Sequence, residues 1–276
     1  REFENRIPEG LSDLSATYGV ISLDVDNDGD VDLIIARDNG LFFYINNNSQ
    51  FTKQKIPLNF EENSVVFSVA PGDLNKDGWV DLYVSTFVDF SEFKSATYND
   101  PTHAKENILL LNNGDNTFTD ITSSSGTVLD ANTFLSAFID LDEDGWQDLV
   151  VAPNTDTVHI FKNNGDLTFT EIPSLTDYGF WMGLAIADYD KDGDQDLFFS
   201  NAGNLGPKFL FRGDLLEEQQ LDLDWALLQN NGDFDFVNVN KEQGLQSLEF
   251  AWGAVMEDFN LDGYPELVVV ENYIKW

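Results

Sequence analysis

Short apolar segments recur along the whole chain and are separated by polar turns. Five of them stand directly before an Asp-rich stretch and read YGVISL, FSVAPG, FLSAFI, MGLAIA and WGAVME. Five more follow it closely and read VDLIIA, VDLYVS, QDLVVA, QDLFFS and PELVVV. These segments are short and rich in β-branched and aromatic residues, so the pattern predicts β-strands rather than core helices.

Asn-rich turns join two further strands in each of four units, at residues 44–57, 110–122, 161–173 and 228–239. Asn and Gly tolerate the positive φ angles that tight hairpins require. Each unit therefore has four strands, A to D. The Asp-rich stretch joins A to B, and the Asn-rich turn joins C to D.

The small residues of strand A, among them Gly19, Ser68, Gly183 and Gly253, suit an innermost strand crowded against its neighbours. Four-stranded units repeated around a channel form a β-propeller, which exposes only short sheet edges. A parallel β-helix is the alternative, but its repeats are shorter and lack such hairpins. We therefore expect an all-β fold, a β-propeller of four-stranded blades.

The repeats are expected to form one domain over residues 1–276, and they differ in length mainly between strands B and C. There the second and fourth repeats carry insertions, at 85–107 and 200–226. Residues 1–7 resemble a D strand and would complete the last repeat. Whether five units close a ring or form an arc of a larger one is left open. The approximate repeat boundaries are 8–57, 58–122, 123–173, 174–239 and 240–276.

The Asp-rich stretch follows the pattern D-x-[DN]-x-D-G-x-x-[DE]-L in all five units. Such carboxylates repel one another unless a cation lies among them. Positions 1, 3, 5 and 9 supply side-chain oxygens, position 7 a backbone carbonyl, and the glycine at position 6 allows a sharp reversal. The expected ligand sets, in the order of positions 1, 3, 5, 7 and 9, are Asp24, Asp26, Asp28, Asp30 and Asp32; Asp73, Asn75, Asp77, Trp79 and Asp81; Asp140, Asp142, Asp144, Trp146 and Asp148; Asp188, Asp190, Asp192, Asp194 and Asp196; and Asp258, Asn260, Asp262, Tyr264 and Glu266.

An all-oxygen set of this kind suits calcium, whereas zinc would favour His or Cys ligands. An EF-hand would need Glu at position 12 and flanking helices, but that position is apolar and lies in a β-rich run in every copy. A solvated acidic turn would explain neither the glycine nor the acid at position 9. We expect about five calcium ions that stabilise the fold, bound more weakly where Asn75 and Asn260 replace a carboxylate.

Composition narrows the classes of partner. A net charge of −36 argues against nucleic acid and anionic lipid as ligands. The absence of cysteine excludes disulfides, thiolate metal sites and a Cys nucleophile. No apolar run is long enough for a membrane span, so we expect no membrane insertion. The chain begins at Arg1 without a signal peptide, and we interpret it as a mature or trimmed fragment.

The acidic loops, the Leu that follows them and the pairs Tyr18-Gly19 and Trp252-Gly253 resemble FG-GAP/VCBS repeats, the units of integrin α-subunit propellers and many bacterial surface proteins. The Asn-Asn-Gly-Asp hairpins and the stretch from EQGLQ to ELVVV are similar to the bacterial ASPIC/UnbV-associated group. The resemblance implies a propeller with structural calcium in the A–B loops, usually exported and often concerned with adhesion or carbohydrate. Ser68 and Leu135 depart from it where glycine is expected, as does the turn at 47–49.

In an up-and-down meander the A–B loops and C–D turns share one face, and the B–C insertions share the other. Insertions on one face of a repeat fold commonly mark its working surface. We expect a bacterial, extracellular or cell-surface module that binds a carbohydrate or protein partner there, because external calcium is abundant. The insertion side chains that could contact a partner, or only cover the channel mouth, are Phe87, Phe90, Phe93, Lys94, Tyr98, His103, Phe209, Phe211, Arg212 and Trp225.

Two alternatives stay open. The chain could be a structural subunit of a surface layer or filament, in which the insertions dock onto neighbouring copies. It could also be a polysaccharide lyase, with His103 as the base, although we favour a non-enzymatic module. His159, in strand C, is expected to be structural. No Ser/His/Asp or paired-carboxylate arrangement can be read from the sequence. The LLEEQQLDLDW portion of the second insertion is expected to form a short helix.

Overall fold

Antiparallel β-sheets make up almost all of the regular structure. The computed structural model describes residues 15–58, 64–100, 102–203, 208–245, 247 and 250–272. Besides the strands it has two four-residue helices, α1 (Thr122–Ser125) and α2 (Lys208–Phe211). The predicted all-β class is confirmed.

Each repeat forms its own sheet, here called blades 1 to 5. Blade 1 contains β1 (Thr17–Leu23), β2 (Asp32–Arg37), β3 (Gly40–Asn47) and β4 (Gln50–Ile56), in that order. Blade 2 contains β5 (Ser64–Gly72), β6 (Asp81–Val88), β7 (Ile108–Asn112) and β8 (Phe118–Asp120). Blade 3 contains β9 (Thr133–Ile139), β10 (Asp148–Asp156), β11 (His159–Asn163) and β12 (Phe169–Ile172), with β13 (Gly179–Phe180) also paired to β10. Blade 4 contains β14 (Gly183–Ala187), β15 (Asp196–Ser200), β16 (Ala226–Asn230) and β17 (Phe236–Asn238). Blade 5 contains β18 (Phe250–Glu257) and β19 (Glu266–Asn272).

Blades 1 to 4 are therefore the predicted A-to-D meanders, with every sequential pair of strands antiparallel. Blade 5 has two strands within the described residues, and these residues do not show a closed ring. The segment 1–7 that we predict as a D strand lies outside the described residues. The repeat boundaries given above likewise remain predictions.

The innermost strands lie side by side in chain order, β1 against β5, β5 against β9, β9 against β14 and β14 against β18. Small residues make this approach possible. A Cβ on Gly19 would lie 2.8 Å from the carbonyl oxygen of Phe67, and a Cβ on Gly183 would lie 3.2 Å from the backbone nitrogen of Ala254. The Ser68 hydroxyl donates a 2.8 Å hydrogen bond to the Phe134 carbonyl of the next blade. The expectation of crowding at strand A is met by backbone-to-backbone contact between blades.

The core lies in apolar layers between consecutive blades. Ile34 and Phe43 of blade 1 pack with Leu82 and Leu110 of blade 2, and all four are buried. Similar clusters join blades 2 and 3, blades 3 and 4, and blades 4 and 5. Strand β6 has a blade on each side, so all of its residues are buried. This arrangement explains the nearly continuous apolar runs of the B strands.

The second insertion differs from the prediction in one respect. Its helix is α2, and the LLEEQQLDLDW portion forms turns instead. Two hydrogen bonds hold this portion against the segment that precedes blade 4. Asp222 N–H donates to the Tyr178 carbonyl at 2.8 Å, and Tyr178 N–H donates to the Gln220 carbonyl at 3.1 Å. Isolated short helices are marginal in water, so such tertiary bonds override the local preference.

Candidate functional site

The five A–B loops share one backbone conformation. Position 4 has a positive φ in each, as at Asn27 (56°), and so does the glycine at position 6, as at Gly29 (92°). A Cβ on Gly29 would meet nothing within 4 Å. Glycine is needed at this position for its backbone angle rather than for space.

The side chain at position 1 closes the loop by accepting hydrogen bonds from its backbone. In the first loop Asp24 accepts hydrogen bonds from the N–H groups of Asp28 (3.1 Å) and Gly29 (3.0 Å). Asp28, at position 5, accepts one from Asp30 N–H at 2.8 Å. The bond from position 6 to position 1 and the bond from position 7 to position 5 recur in all five loops. The carboxylates therefore shape the loop as well as offering oxygens.

The acid at position 9 connects the loop to strand C. Asp32 is fully buried and accepts hydrogen bonds from Val25 N–H (2.9 Å) and Asn46 N–H (2.7 Å). Asp81, Asp148 and Asp196 are buried and bonded in the same way. The partner asparagine was missed from sequence, where it was treated only as a turn residue. Its side chain donates to the carbonyl of position 8, as Asn46 does to Val31 at 2.9 Å. The signal for it was its recurrence at the end of every C strand, as Asn46, Asn112, Asn163 and Asn230.

Four of the loops bring three carboxylate groups together, with one oxygen from each lying within 4.8 Å of the others. Three loops use positions 1, 3 and 9, and the fifth uses positions 1, 5 and 9. In the second loop, Asn75 takes position 3 and donates to Asp77 at 2.8 Å. That loop forms no three-acid group, although all of its residues are described. The four groups are Asp24, Asp26 and Asp32; Asp140, Asp142 and Asp148; Asp188, Asp190 and Asp196; and Asp258, Asp262 and Glu266.

Several carboxylates of the A–B loops lie in an environment that disfavours their charge. Burial raises the pKa of Asp81, Asp148 and Asp196 to about 6, against the effect of their backbone hydrogen bonds. Burial also raises the pKa of Asp26, and the negative charges of Asp32 and Asp28 raise it further. One oxygen of Asp26 and one of Asp140 are buried without a hydrogen-bond partner. Oxygens of this kind fit a hard divalent cation, which would supply the missing positive charge.

Lys162 is an internal cation that the sequence analysis missed. Its ammonium group contacts the Asp142 carboxylate and lies 3.0 Å from an oxygen of Asp144. In the next blade the equivalent strand C residue, Gln229, donates to Asp190 at 2.5 Å. In blades 3 and 4, the residue before the C-strand asparagine therefore faces position 3 of the loop. A lysine there partly neutralises the third loop.

Successive loops contact each other through position 4. Asn27 donates to the Gly78 carbonyl at 2.9 Å, and the Lys76 ammonium lies 3.9 Å from the ring centre of Trp146. Lys191 lies in the same way over Tyr264, at 3.6 Å. Position 7, which we treated as free to vary, has a packing role in the second and third loops, because Trp79 and Trp146 lie against the glycines of the neighbouring C–D turns. The backbone carbonyl of position 7 remains a predicted ligand.

On the opposite face the two B–C insertions bind to each other. Asp214 accepts hydrogen bonds from the N–H groups of Tyr98 (2.6 Å) and Asn99 (3.0 Å). The Tyr98 hydroxyl donates to the Phe211 carbonyl at 2.8 Å, and Asn99 exchanges amide hydrogen bonds with Gln219. The insertions therefore form one connected layer over the inner ends of the blades.

The aromatic residues of this layer divide into two groups. Phe87 is buried, and Trp225 packs edge-on against Phe198 in the core of blade 4. Phe90 and Phe209 remain exposed, by 50% and 75%. Packing against neighbouring blades thus accounts for some of the predicted contact residues, while others face solvent.

The two histidines do not form an open acid–base site. His103 is 4% exposed, its ring nitrogens have no hydrogen-bond partner, and burial lowers its pKa. This burial does not fit the predicted alternative of a solvent-accessible catalytic base. His159 lies in strand C as expected. Burial alone would lower its pKa, but Asp156 and Glu171 outweigh this effect and raise it to about 9.

The sequence profile of the FG-GAP-like repeat matches residues 24–84 and 140–199, which include the first four acidic loops and the beginnings of the B strands that follow them. The chain contains FG-GAP-like repeats. The resemblance inferred from the loop pattern is therefore confirmed. The fifth loop lies outside the matched segments but has the same backbone and hydrogen bonds.

No curated protein sequence matches this FG-GAP-like repeat chain. Among solved structures, the V. cholerae biofilm matrix protein Bap1 is similar at 13% identity with a TM-score of 0.35, covering 79% of this chain. The match spans 38% of that protein's chain, so it extends over well under half of Bap1. Within the described residues, no helix combines the length and the apolar character that a membrane crossing requires.

Proposed function

We propose that this chain is a calcium-stabilised, extracellular β-propeller module that binds a carbohydrate or protein partner through its insertion face. The observation that carries the proposal is the placement of chemistry on two opposite faces. Acid clusters recur in four A–B loops at one face, and the two B–C insertions join at the other. FG-GAP-like repeats supply the scaffold for both.

Calcium has a structural role in this proposal. The carboxylates of positions 1, 3, 5 and 9 would hold the ion, which contributes positive charge to a loop that otherwise concentrates negative charge. Four of the five position-9 acids also anchor strand C through the asparagine N–H, so a bound ion would strengthen the connection between two halves of each blade. Metal binding and folding are then coupled. The need for abundant calcium supports a location outside the cell.

The insertion face is the proposed binding surface because it carries exposed aromatic side chains on a connected layer. Phe209 is 75% exposed and Phe90 is 50% exposed. Aromatic rings stack on sugars and anchor protein partners at interfaces. No described histidine is placed as an exposed base, which supports a binding role over the lyase alternative.

The test is binding of the purified chain to an array of glycans and extracellular proteins, with calcium and with EDTA. We expect binding in calcium, loss of binding in EDTA, and weaker binding by Phe209→Ala. The matched control is Val237→Ala, an exposed apolar residue (48%) on strand β17, outside both the insertions and the acidic loops. Equal binding by both variants would contradict the placement of the surface.

A second candidate is a structural subunit of a surface layer or filament. It is supported by the apolar side chains exposed on the insertion layer, namely Phe90 (50%), Phe209 (75%) and Leu210 (62%), since apolar patches commonly mark interaction surfaces. Sedimentation at increasing protein concentration tests it, and a mass that stays constant would remove this candidate.

A further inference from the structure

An apolar cavity of about 560 Å³ lies where the two insertions meet the inner ends of the blades. Its walls come from the two insertions and from the innermost strands. Phe87, Phe90 and Phe93 belong to the first insertion and Phe211 to the second. Phe134 and Trp252 are on the innermost strands of blades 3 and 5. The cavity is therefore made by the tertiary arrangement and by no single repeat.

The innermost strands supply one wall through a repeated sequence position. The residue directly before the expected glycine position of strand A, which is Leu135 in blade 3, is Tyr18, Phe67, Phe134, Met182 or Trp252. The rings of Phe134 and Trp252 lie 6.4 Å apart although their blades are not sequential, so these positions converge at the centre of the arc. Phe134, Met182 and Trp252 line the cavity.

The remaining walls are held in place by the insertions. The Phe87 ring is stacked on the Phe134 ring at 5.1 Å and 2°, and Phe87 is 1% exposed. The hydrogen bonds from Tyr98 and Asn99 to Asp214 fix the second insertion against the first. The cavity is consequently formed before any ligand arrives, as is usual for small-molecule sites.

The chemistry of the lining restricts the ligand. Among the described residues that form the cavity, none carries a charge, and the polar side chains are Ser95 and Asn154. A sugar placed there would leave most of its hydroxyls without partners, which is unfavourable. An anion would find no cation in the wall and would meet a chain of net charge −36. The volume lies in the range of about 300–1,000 Å³ that is typical of sites for drug-sized molecules.

We propose that this cavity binds an uncharged, apolar small molecule, with aromatic or aliphatic groups as the main contact. The inference rests on the proposed role of the insertion face and names the ligand chemistry at its centre. Entry would occur past Phe90, Leu210 and Trp252, which are each about half exposed (50%, 62% and 48%) and form the rim. Polar partners would bind around this rim, outside the cavity.

The test uses two fluorescent dyes that differ by one charge, neutral phenylnaphthylamine and its sulfonated analogue anilinonaphthalene sulfonate. Each is titrated into the calcium-loaded protein. We expect saturable binding of one neutral dye per chain and at least about tenfold weaker binding of the sulfonated dye, because the anion lacks a partner in the wall. Absence of saturable binding by the neutral dye, or equal affinity for both dyes, would overturn the proposal.

Two variants locate the bound dye. Phe90→Glu places a carboxylate at the rim and should weaken binding of the neutral dye about tenfold or more. Val237→Glu is the matched control, since Val237 is 48% exposed on β17 and lies outside the cavity lining. It should bind like the unaltered chain. Melting curves check that both variants are folded. If the dye binds both variants equally, it is bound outside this cavity, and the proposal is wrong.

The outcome is separable from that of the array experiment. Array binding without dye binding would leave the proposed function intact and remove the apolar ligand. Dye binding lost in Phe90→Glu, together with a negative array, would retain the cavity as a small-molecule site and remove the adhesion role.

Discussion

Removal of calcium should lower the melting temperature of this chain by an amount that can be worked out from the number of acid clusters. Four loops bring three carboxylates together. If each binds calcium with a Kd of about 10 µM, within the range of protein oxygen sites, about 1 mM calcium stabilises the fold by about 2.7 kcal/mol per site. The four clusters together then contribute about 11 kcal/mol. With an unfolding entropy of about 2.1 cal/mol/K per residue over 276 residues, the melting temperature falls by about 20 °C in chelator.

Differential scanning calorimetry in EDTA and in calcium, at matched ionic strength, measures this shift. Magnesium at the same concentration should restore only part of it, because magnesium retains its waters. Asp190→Asn should remove about one quarter of the calcium-dependent shift, since it disables one of four clusters. Glu218→Gln, at an exposed acid outside the clusters, should keep the full shift. Melting temperatures in EDTA and calcium that agree within about 2 °C would refute the structural role of the metal.

Three further predictions follow from individual contacts. Gly29→Ala should lower the free energy of unfolding by about 1 kcal/mol or more, because the φ of Gly29 is +92°. The control is Gly253→Ala, which also has space for a Cβ but no positive φ and should melt like the unaltered chain. Equal losses of stability in the two variants would argue against backbone strain. Lys162→Met should strengthen calcium binding at the third loop by about tenfold, because it removes an ammonium group that competes with calcium for the carboxylates. Calorimetric titration measures this, and an unaltered binding isotherm would show that Lys162 does not compete with calcium. His159 has a pKa of about 9, above its ordinary value of about 6.5, so its ion pairs stabilise the fold fully below pH 6.5 and this contribution is lost as the pH rises through 9. The pH-dependent loss should be about 3 kcal/mol in denaturant titrations of the unaltered chain and absent in His159→Leu; a similar loss in both would assign it to other groups.

Much of the fold could be predicted from sequence because the sequence features that specify it are local. The Asn-rich turn and the D-x-D-x-D-G stretch set φ angles and hydrogen bonds between residues a few positions apart, as between Asp24 and Gly29. Strands A to D follow from short apolar runs between these turns. The predicted helix in LLEEQQLDLDW was wrong because its competitor is non-local, a pair of backbone hydrogen bonds to Tyr178.

The candidate site could be predicted from sequence only in part, for the same reason. Positions 1, 3, 5 and 9 could be read from one nonapeptide. Three other features of the site depend on residues from other strands or other blades. They are the asparagine that binds the acid at position 9, the packing of position 7, and the lysine that partly neutralises the charge of the third loop, where Lys162 contacts Asp142. The burial of His103 depends on the fold around the first insertion, which sequence spacing does not encode.

By itself, the sequence determined where the β-strands lie, the order of the turns and the acidity of each loop, since these depend on neighbouring residues along the chain. The tertiary structure alone decided which surfaces the repeats share. It brought aromatic residues of the innermost strands, such as Phe134 and Trp252, together at the centre, and it joined two insertions separated by about one hundred residues into the roof of a cavity. Contacts of this range depend on how the sheets twist and pack against each other, and packing is a property of the whole molecule rather than of any repeat.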